Sequence, residues 1–305
     1  MGFGDTVDRL KYTKPERKYI LIDMKRIKSY TIIAILLSSG FLVAWINDYS
    51  QVSNKWKLGV EIYTFHRFTL AEGISKSDSA GVHYIEAASF QKIGDEIEKG
   101  YISQISEQGL VKLNKYLDKH HIKIRSVYVF GGSSLDSWKN GFLQAKKLKC
   151  EFITAEPPRN LWDSIDSLAG VFHIKVAIHN HWKGKSAFWS PDSVLAAIKN
   201  HPNFGACPDL GHWPKSGVDA VSGLQKLQGH ILAIHLKDAS QMNDPNARDV
   251  DLGTGVVNFK AVLEELKRQN YKGFIYIERD ADVRPSNLPS VIKEISYYND
   301  LLRNL

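Results

Sequence analysis

Cysteine is scarce in this chain, because only Cys150 and Cys207 occur among its 305 residues. Two cysteines cannot organise a disulfide-stapled scaffold or a cysteine-based zinc site. Any bound metal must therefore use histidine and carboxylate ligands. The composition also lacks a signature of disorder, since 43% of the residues are apolar and supply enough material for a packed core. The sequence predicts a globular protein.

Most of the chain also lacks an excess of positive charge. The formal net charge is +7, from 40 Lys and Arg against 33 Asp and Glu. Residues 1–57 carry 10 basic and 5 acidic side chains, which leaves 30 basic and 28 acidic side chains in the rest. A nucleic-acid-binding surface is normally strongly basic. The nearly neutral body therefore predicts no nucleic-acid partner.

The apolar run Thr31–Ile46 (TIIAILLSSGFLVAWI) is about one helical turn shorter than a comfortable transmembrane helix. Three basic residues lie between Met24 and the run, in the layout of a signal peptide or an uncleaved anchor. Met24 is interpreted as the true start. We expect residues 1–56 to be an N-terminal extension and the only part of the protein that contacts a membrane. This extension would either export the rest of the chain to the periplasm or anchor it outside the cytoplasm. A buried core helix is the alternative.

Residues 57–305 alternate short β-branched runs with longer segments of helical periodicity. Their number is close to the roughly 250 residues typical of an eight-fold βα barrel. Eight strands are predicted, at Lys57–Phe65, Val82–Ala87, Ile122–Phe130, Glu151–Glu156, Ile174–His181, Phe204–Asp209, His230–Lys237 and Gly273–Glu278. Helices are predicted at, among others, Ser106–Lys119, Leu135–Lys149, Pro191–Asn200, Phe259–Gln269 and Leu288–Leu301.

The predicted fold class is α/β, a (β/α)8 TIM barrel that follows the N-terminal signal or anchor segment. An open doubly wound sheet is the alternative. That fold would normally place a glycine-rich phosphate-binding turn after the first strand. The sequence has TFHRFT there instead, which favours the barrel.

Polar residues collect where the later predicted strands end. In a parallel barrel the active site forms at the carboxyl ends of the strands, and side chains two positions apart share a face. Ala177, His179 and His181 therefore share one face of the fifth strand, while Val176 and Ile178 take the other. The seventh and eighth strands alternate in the same way. The apolar set suits the helix layer, so the polar set is predicted to point into the barrel mouth.

The predicted mouth contains too many titratable side chains to be an apolar core. They are Glu156, His179, His181, Asp209, His212, His235, Lys237 and Glu278. Histidines and carboxylates that converge from separate strands are typical of a divalent cation site for Mn²⁺, Zn²⁺, Co²⁺ or Mg²⁺. Trp182, Trp189 and Trp213 lie near the same strand ends. Such rings either stack on a sugar or pack a loop against the barrel.

At these residues the chain resembles the xylose isomerase-like TIM barrel superfamily, in its sugar phosphate isomerase/epimerase branch of the AP endonuclease family 2 type. The resemblance covers 57–305 and rests on the blocks LGVEIYTFHRFTL, GVHYIEA, AIHNHW, GACPDLGHWPKSGVD, AIHLKD, DVDLGTGVVNF and YIER. It implies one metal ligand from each of strands five to eight. The residues at those positions are His179, Asp209, His235 and Glu278.

The chain departs from the family pattern at two positions. Family epimerases have a glutamate where this chain has His179, so Glu156 is an alternative fourth ligand or second base. Gln241 occupies the place of an epimerase arginine. The related endonuclease IV needs three metals and further histidines on strands two and three, which are missing here. With a body charge of only +2, an endonuclease is not expected.

The resemblance implies removal of a proton next to a carbonyl group, with a metal-stabilised enediolate. Glu278 or Glu156 is expected to be the base, and Lys237 to neutralise the oxyanion or protonate a leaving group. The residues expected to contact the sugar are His181, His212, Trp182 and Trp213.

The predicted function is a metal-dependent sugar isomerase or epimerase that acts on a small carbohydrate. Loss of a β-substituent from the same enediolate would make the protein a lyase or dehydratase of a keto-sugar or 3-keto-glycoside. A metal-containing sugar-binding barrel without activity is the second alternative. Barrels of this branch are often dimers, so the resemblance also implies a homodimer.

Overall fold

The computed structural model describes residues 56–305, and these form a nearly closed barrel of eight parallel strands. The strands in chain order are β1 (Lys57–Glu61), β2 (Tyr84–Ala88), β3 (Lys92–Gly94), β4 (Glu98–Tyr101), β5 (Lys123–Tyr128), β6 (Phe152–Ala155), β7 (Lys175–His179), β8 (Phe204–Cys207), β9 (Ala233–Leu236), β10 (Asp238–Ala239), β11 (Asp249–Val250) and β12 (Phe274–Ile277). The pairs β3–β4 and β10–β11 are antiparallel hairpins outside the barrel.

The order of the barrel strands is β8-β7-β6-β5-β2-β1-β12-β9. Each strand therefore pairs with its neighbour along the chain, and β1 pairs in parallel with β12. Between β8 and β9 the contact consists of two parallel bridges, Ala206–Ile231 and Asp209–His235. This cyclic order confirms the predicted TIM barrel and excludes the open doubly wound sheet.

Helices connect the strands and cover the outside of the barrel. They are α1 (Leu70–Ser79), α2 (Glu107–Lys119), α3 (Leu135–Lys147), α4 (Trp162–Phe172), α5 (Pro191–Ile198), α6 (His212–Lys215), α7 (Ala220–Lys226), α8 (Phe259–Arg268) and α9 (Leu288–Arg303). Side-chain caps explain several of the starts, because Ser106 accepts from the amide of Gly109 and Asn258 from that of Ala261. The five predicted helices are all present.

Two apolar layers follow the alternation along the strands. The outward set, which includes Val176, Ile178, Ile234 and Leu236, belongs to the large core between the sheet and the helices. The inward set, Phe152, Ala177, Cys207, Ala233, Phe274 and Tyr276, fills the barrel interior. The polar residues that follow the inward set along each strand therefore lie at the mouth, as predicted.

The first strand is shorter than its predicted span. It ends at Glu61, and Ile62–Phe65 forms a turn of 3₁₀ helix. The Glu61 carboxylate accepts a hydrogen bond from the amide of Tyr63 at 2.7 Å, and this side-chain cap begins the turn. The correction matters for the site, because the turn carries Tyr63 to the mouth of the barrel.

The predicted signal or anchor run, residues 31–46, and the interpreted start at Met24 lie outside the described residues. Both stay predictions. Within residues 56–305, none of the helices has the length and apolar character needed to cross a membrane.

Candidate metal centre

Four buried side chains from the ends of consecutive barrel strands converge at the mouth. They are His179, Asp209, His235 and Glu278. One nitrogen or oxygen atom from each lies within 4.8 Å of the others. His179 is the last residue of β7 and Glu278 directly follows β12, so the carboxyl ends of the parallel strands bring the group together. The group contains the same four residues that the resemblance implies.

These four residues turn buried polar atoms toward one another. His179 Nε2, Asp209 Oδ2, His235 Nδ1 and Glu278 Oε2 form no hydrogen bond of regular geometry among residues 56–305. Their charged contacts are with each other, at 2.5 Å between His235 Nδ1 and Glu278 Oε2 and 3.5 Å between His179 Nε2 and Asp209 Oδ2, and with Lys237 Nζ, 2.9 Å from Asp209 Oδ2. Buried polar atoms in folded proteins are nearly always paired. A convergent set of two imidazole nitrogens and two carboxylate oxygens is the donor set of a divalent cation site. The residues therefore fit the expected metal.

Asp209 is held so that one carboxylate oxygen faces the group. Its Oδ1 accepts from the amides of Gly211 and His212 at 2.9 and 3.1 Å. The side chain of Asn180 fixes the backbone of Asp209. Its Nδ2 donates to the Asp209 carbonyl at 3.1 Å, and its Oδ1 accepts from the Asp209 backbone N–H at 2.8 Å. These bonds leave Oδ2 directed at the other three side chains. Asn180 was not recognised from the sequence as a site residue.

His235 is oriented by a carboxylate inside the barrel. Its Nε2 lies 2.9 Å from Glu86 Oε1, and Glu86 Oε2 accepts from the Thr154 hydroxyl at 2.5 Å. This fixes the ring with Nδ1 turned to Glu278, 2.5 Å from its Oε2. A histidine whose second nitrogen is bonded to a carboxylate is a common arrangement at metal sites. The sequence analysis gave Glu86 no role at the site.

Glu156 lies on the far side of the His179 ring. Its Oε1 is 3.4 Å from His179 Nδ1 and also contacts His181 Nδ1, while Ser186 donates to its Oε2. Burial raises the pKa of Glu156, but the bonds to His179 and His181 outweigh it and hold the pKa well below its usual value. Glu156 with these two histidines is a second group of possible ligands. For the four-residue group, the geometry favours His179 over Glu156.

Lys237 is enclosed by three carboxylates. Its Nζ lies 2.9 Å from Asp209 Oδ2, 2.9 Å from Glu278 Oε1 and 3.0 Å from Asp280 Oδ1. Burial lowers the pKa of Lys237, but attraction to Asp209, Asp280 and Glu278 outweighs it and raises the pKa well above its usual value. The side chain is therefore an ammonium ion that balances carboxylate charge.

A cavity of about 450 Å³ opens above the four-residue group. His179 and Glu278 are the members of the group that line it. His181 and Trp182, which the sequence predicts as sugar contacts, line it as well. Four aromatic residues that the sequence analysis did not single out complete one wall: Tyr63, Phe90, Tyr128 and Phe130. They follow β1, β2 and β5, where no histidine or carboxylate cluster draws attention to the strand ends.

His212 and Trp213 do not line this cavity. His212 is 1% exposed, lies with Nε2 3.5 Å from Asp209 Oδ2 and stacks on the His181 ring. Burial lowers the pKa of His212, so this ring is neutral. Trp213 is fully buried in the large core and packs tightly against Gly223. Trp213 was therefore wrongly predicted as a sugar contact. Successive side chains of a helical turn point about 100° apart, so a position near the strand ends did not fix the direction of the Trp213 ring.

Asp238, in the hairpin after β9, accepts four hydrogen bonds, three of which hold the next loop. Its carboxylate accepts from the amides of Ala239, Gly253, Gly255 and Val257 at 2.9 to 3.1 Å. A Cβ atom at Gly255 would lie 2.4 Å from Asp238 Oδ1, so glycine is required there. The carboxylate ties the segment after β11 to the hairpin next to Lys237.

Replacement of Asp238 by asparagine is expected to destabilise the protein by about 2–6 kcal/mol. The new NH₂ group cannot accept, so two backbone amides lose their partner, at about 1–3 kcal/mol each. Urea unfolding followed by circular dichroism measures the change. Asp192→Asn is the matched control, because Asp192 is exposed and pairs with exposed Lys226, a contact worth less than about 1 kcal/mol. Equal stability of the two variants would contradict the prediction.

Metal binding is expected to strengthen with rising pH and to release protons. Burial lowers the pKa of His179, but bonds with Asp209 and Glu156 outweigh it and raise the pKa to about 9. Below that pH the metal-free ring carries a proton that a cation must displace. His235 is also a member of the group, and although burial lowers its pKa, nearby acidic groups outweigh burial and raise the pKa well above its usual value. Both rings must then lose a proton, so we expect about a hundredfold gain in affinity per pH unit between pH 6 and 8. Calorimetry in buffers of different ionisation enthalpy counts the protons, and zero release at pH 7 would contradict the expectation.

Comparison with known proteins gives a family and a fold. A family model described as xylose isomerase-like TIM barrel matches residues 74–300. An uncharacterised protein from Parabacteroides distasonis, known from a crystal structure, is 34% identical, with 82% of this chain and 99% of that chain covered and a TM-score of 0.65. A xylose isomerase-like TIM barrel protein from Mycobacterium smegmatis in complex with magnesium has a TM-score of 0.65 at 15% identity, over 82% and 97% of the two chains.

Among curated proteins, the L-ribulose-5-phosphate 3-epimerase UlaE of Shigella boydii is 34% identical over 95 residues. The match covers 31% of this chain and 32% of the epimerase. The chain thus spans about a third of the length of the curated relative that it matches.

Proposed function

Because the chain belongs to the xylose isomerase-like TIM barrel family, we propose that it is a metal-dependent sugar isomerase or epimerase. The proposal is carried by Glu278, which is a member of the four-residue group and also lines the cavity. One carboxylate is thus placed both to bind a metal and to reach a substrate carbon. The partial likeness to an epimerase of a ketose phosphate supports a carbohydrate substrate.

The metal would be bound by His179 Nε2, Asp209 Oδ2, His235 Nδ1 and Glu278 Oε2. A bound divalent cation supplies Lewis-acid polarisation of a sugar carbonyl. Two imidazoles among four donors favour Zn²⁺, Co²⁺ or Mn²⁺ over Mg²⁺. Glu86 and Glu156 orient the two imidazoles through their second ring nitrogens.

Glu278 acts as the base in this proposal. Burial raises its pKa, but Lys237 and His235 outweigh burial and lower the pKa to about 2, so the carboxylate is ionised at neutral pH. It removes the proton from the carbon next to the carbonyl, and the electron pair of that C–H bond moves toward the carbonyl oxygen to give an enediolate. Lys237, 2.9 Å from Glu278 Oε1, holds the carboxylate in place and balances its charge.

Glu61 is the matching proton donor. It lines the cavity and is 2% exposed. Burial, together with the nearby Glu278 and Glu86, raises its pKa well above the usual value. Where two carboxyl groups share an active site, the neutral one normally acts as the acid and the ionised one as the base. Glu61 would protonate the former carbonyl oxygen and take back the proton of the neighbouring hydroxyl, while Glu278 returns its proton to the former carbonyl carbon. Both carboxyl groups are then restored, and the sum of the steps is an isomerisation.

The remaining predicted residues support this chemistry. Glu156 is not among the residues that line the cavity, and its contacts with His179 and His181 give it the role of orienting them. His181 and Trp182 line the cavity and would contact the sugar. His212 lies behind the cavity, where it packs against Asp209 and positions that carboxylate.

Solvent deuterium exchange tests the proposal. The full chain, loaded with Zn²⁺ or Mn²⁺, is incubated in D₂O with L-ribulose, L-ribulose 5-phosphate and D-tagatose. We expect deuterium next to the carbonyl group of at least one ketose, since a base that removes a proton also returns one from solvent. Proton NMR of the products separates epimerisation, isomerisation and elimination. A metal-loaded protein that exchanges none of these protons would contradict the proposal and favour the sugar-binding barrel.

A further inference from the structure

A second cavity of about 330 Å³ lies beside the first, between the turn after β1 and the β3–β4 hairpin. The two cavities share Tyr63 and Phe90 as lining residues. Tyr101, from β4, lines the second cavity on the side of the hairpin. A molecule seated above the four-residue group can therefore extend past Tyr63 and Phe90 into a further compartment.

Aromatic rings continue from one cavity into the other. Tyr63, Phe90 and Tyr101 are 38%, 39% and 44% exposed, which is unusual for three large side chains next to one another. The Phe90 ring lies 5.0 Å from that of Phe130 and 6.2 Å from that of Tyr63. Exposed rings of this kind offer flat apolar faces on which a second ring of a substrate stacks.

Gln91 provides a polar contact at the base of the second cavity. It is 6% exposed, and its Nε2 donates to the carbonyl of Phe68 at 3.3 Å. Its Oε1 is buried and has no hydrogen-bond partner in the part of the chain that the structure describes. Unpaired buried amide oxygens are rare. A hydroxyl group of a bound ring would supply the missing donor.

The charged residues that line the second cavity are Arg67, Glu72 and Lys92. Arg67 contacts the carboxylate of Asp282 and donates to the carbonyls of Val283 and Pro285 at 3.3 and 3.0 Å, and Glu72 caps α1, so both side chains are already occupied. Lys92 is exposed and forms no ion pair among residues 56–305. The lining therefore does not repel an anion, and the aromatic rings and Gln91 are the features that favour a second ring.

We propose that the second cavity is a subsite for a second ring, so that the substrate is a glycoside or disaccharide. The assignment of the reacting ring to the first cavity rests on the proposed function. The second ring would stack on Tyr101 and Phe90 and donate a hydroxyl hydrogen bond to Gln91.

NMR titration of the full chain, loaded with Zn²⁺ and labelled with ¹³C in its tyrosine rings, tests the subsite. The probes are D-glucose, D-glucose 6-phosphate, phenyl β-D-glucopyranoside and cellobiose, and Tyr101→Phe identifies the Tyr101 signal. We expect the two-ring probes to shift the Tyr101 signal and to bind about tenfold more tightly than glucose, since one stacked ring contributes up to about 1.5 kcal/mol.

Variants separate the subsite from a general effect on folding. Tyr101→Ala and Gln91→Ala are expected to remove the tenfold gain and leave glucose binding unchanged. Tyr116→Ala, a half-buried tyrosine of α2 that lines neither cavity, is expected to keep the gain. Two-ring probes that leave Tyr101 unshifted, or a shift of that signal by glucose 6-phosphate alone, would overturn the proposal.

The titration and the deuterium exchange experiment together distinguish failure of the subsite from failure of the proposed function. Exchange of a monosaccharide proton without any two-ring binding at Tyr101 would remove the subsite and leave the function. Two-ring binding at Tyr101 without proton exchange would remove the proposed function and leave the subsite as a binding site.

Discussion

A variant with both Asp209→Ala and His235→Ala is expected to lose its bound metal. These residues contribute one carboxylate and one imidazole to the four-residue group, and His179 and Glu278 alone would present only two protein donors. Stable sites of this kind use at least three. Plasma mass spectrometry of the full chain, purified without chelator, should find about one equivalent of metal per wild-type chain and less than about a tenth in the variant.

The control for this experiment removes the same two residue types elsewhere. His201 Nε2 lies 3.1 Å from Asp163 Oδ1, and Asp163 is fully exposed, so Asp163→Ala with His201→Ala should keep the metal. Asp209→Asn is a milder variant, because an amide oxygen can still accept from Gly211 and His212. Metal retained at wild-type level in the Asp209 and His235 double variant would exclude the four-residue group as the binding site.

The histidines and carboxylates of the later strands could be predicted from the sequence for a physical reason. Strand alternation fixes which side chains share a face, and a parallel barrel brings all carboxyl ends to one rim. His179, His235 and Glu278 follow inward-facing apolar residues at intervals of two. The strand register then places these side chains at the mouth, whatever the conformation of the loops.

The first two strands gave no such signal. Glu61 and Glu86 are single carboxylates in apolar surroundings, and only the barrel closure of β1 against β12 brings Glu61 to the same cavity as Glu278. Phe90 and Tyr101 belong to the segment around the β3–β4 hairpin, whose short strands have no clear periodicity. Trp213 shows the reverse error, because a position near a strand end in the sequence does not place a side chain in the cavity.

Replacement of Glu278 by glutamine is expected to reduce proton exchange by about 10³-fold or more. An amide cannot accept the proton that the carboxylate removes, and a well-placed general base contributes about 10²- to 10⁴-fold to the rate. The glutamine oxygen can still act as a metal donor beside the other three ligands, so part of the metal should remain bound. Deuterium incorporation and metal content, measured on the same sample, separate loss of the base from loss of the cation.

Glu264→Gln is the matched control for this variant, since Glu264 lies on the exposed side of α8 and pairs with exposed Lys260 at 3.9 Å. It makes the same chemical change without touching the mouth, and its exchange rate should equal that of the wild type.

Lys237 provides the second comparison. If Glu278 is the base, loss of the Lys237 ammonium in Lys237→Met should raise the pKa of Glu278, because Lys237 is the strongest influence that lowers it. The acidic limb of the exchange profile should then move to higher pH. Full exchange in Glu278→Gln would instead leave Glu278 as a metal ligand alone and transfer the role of the base to another cavity carboxylate, of which Asp280 is the nearest along the chain.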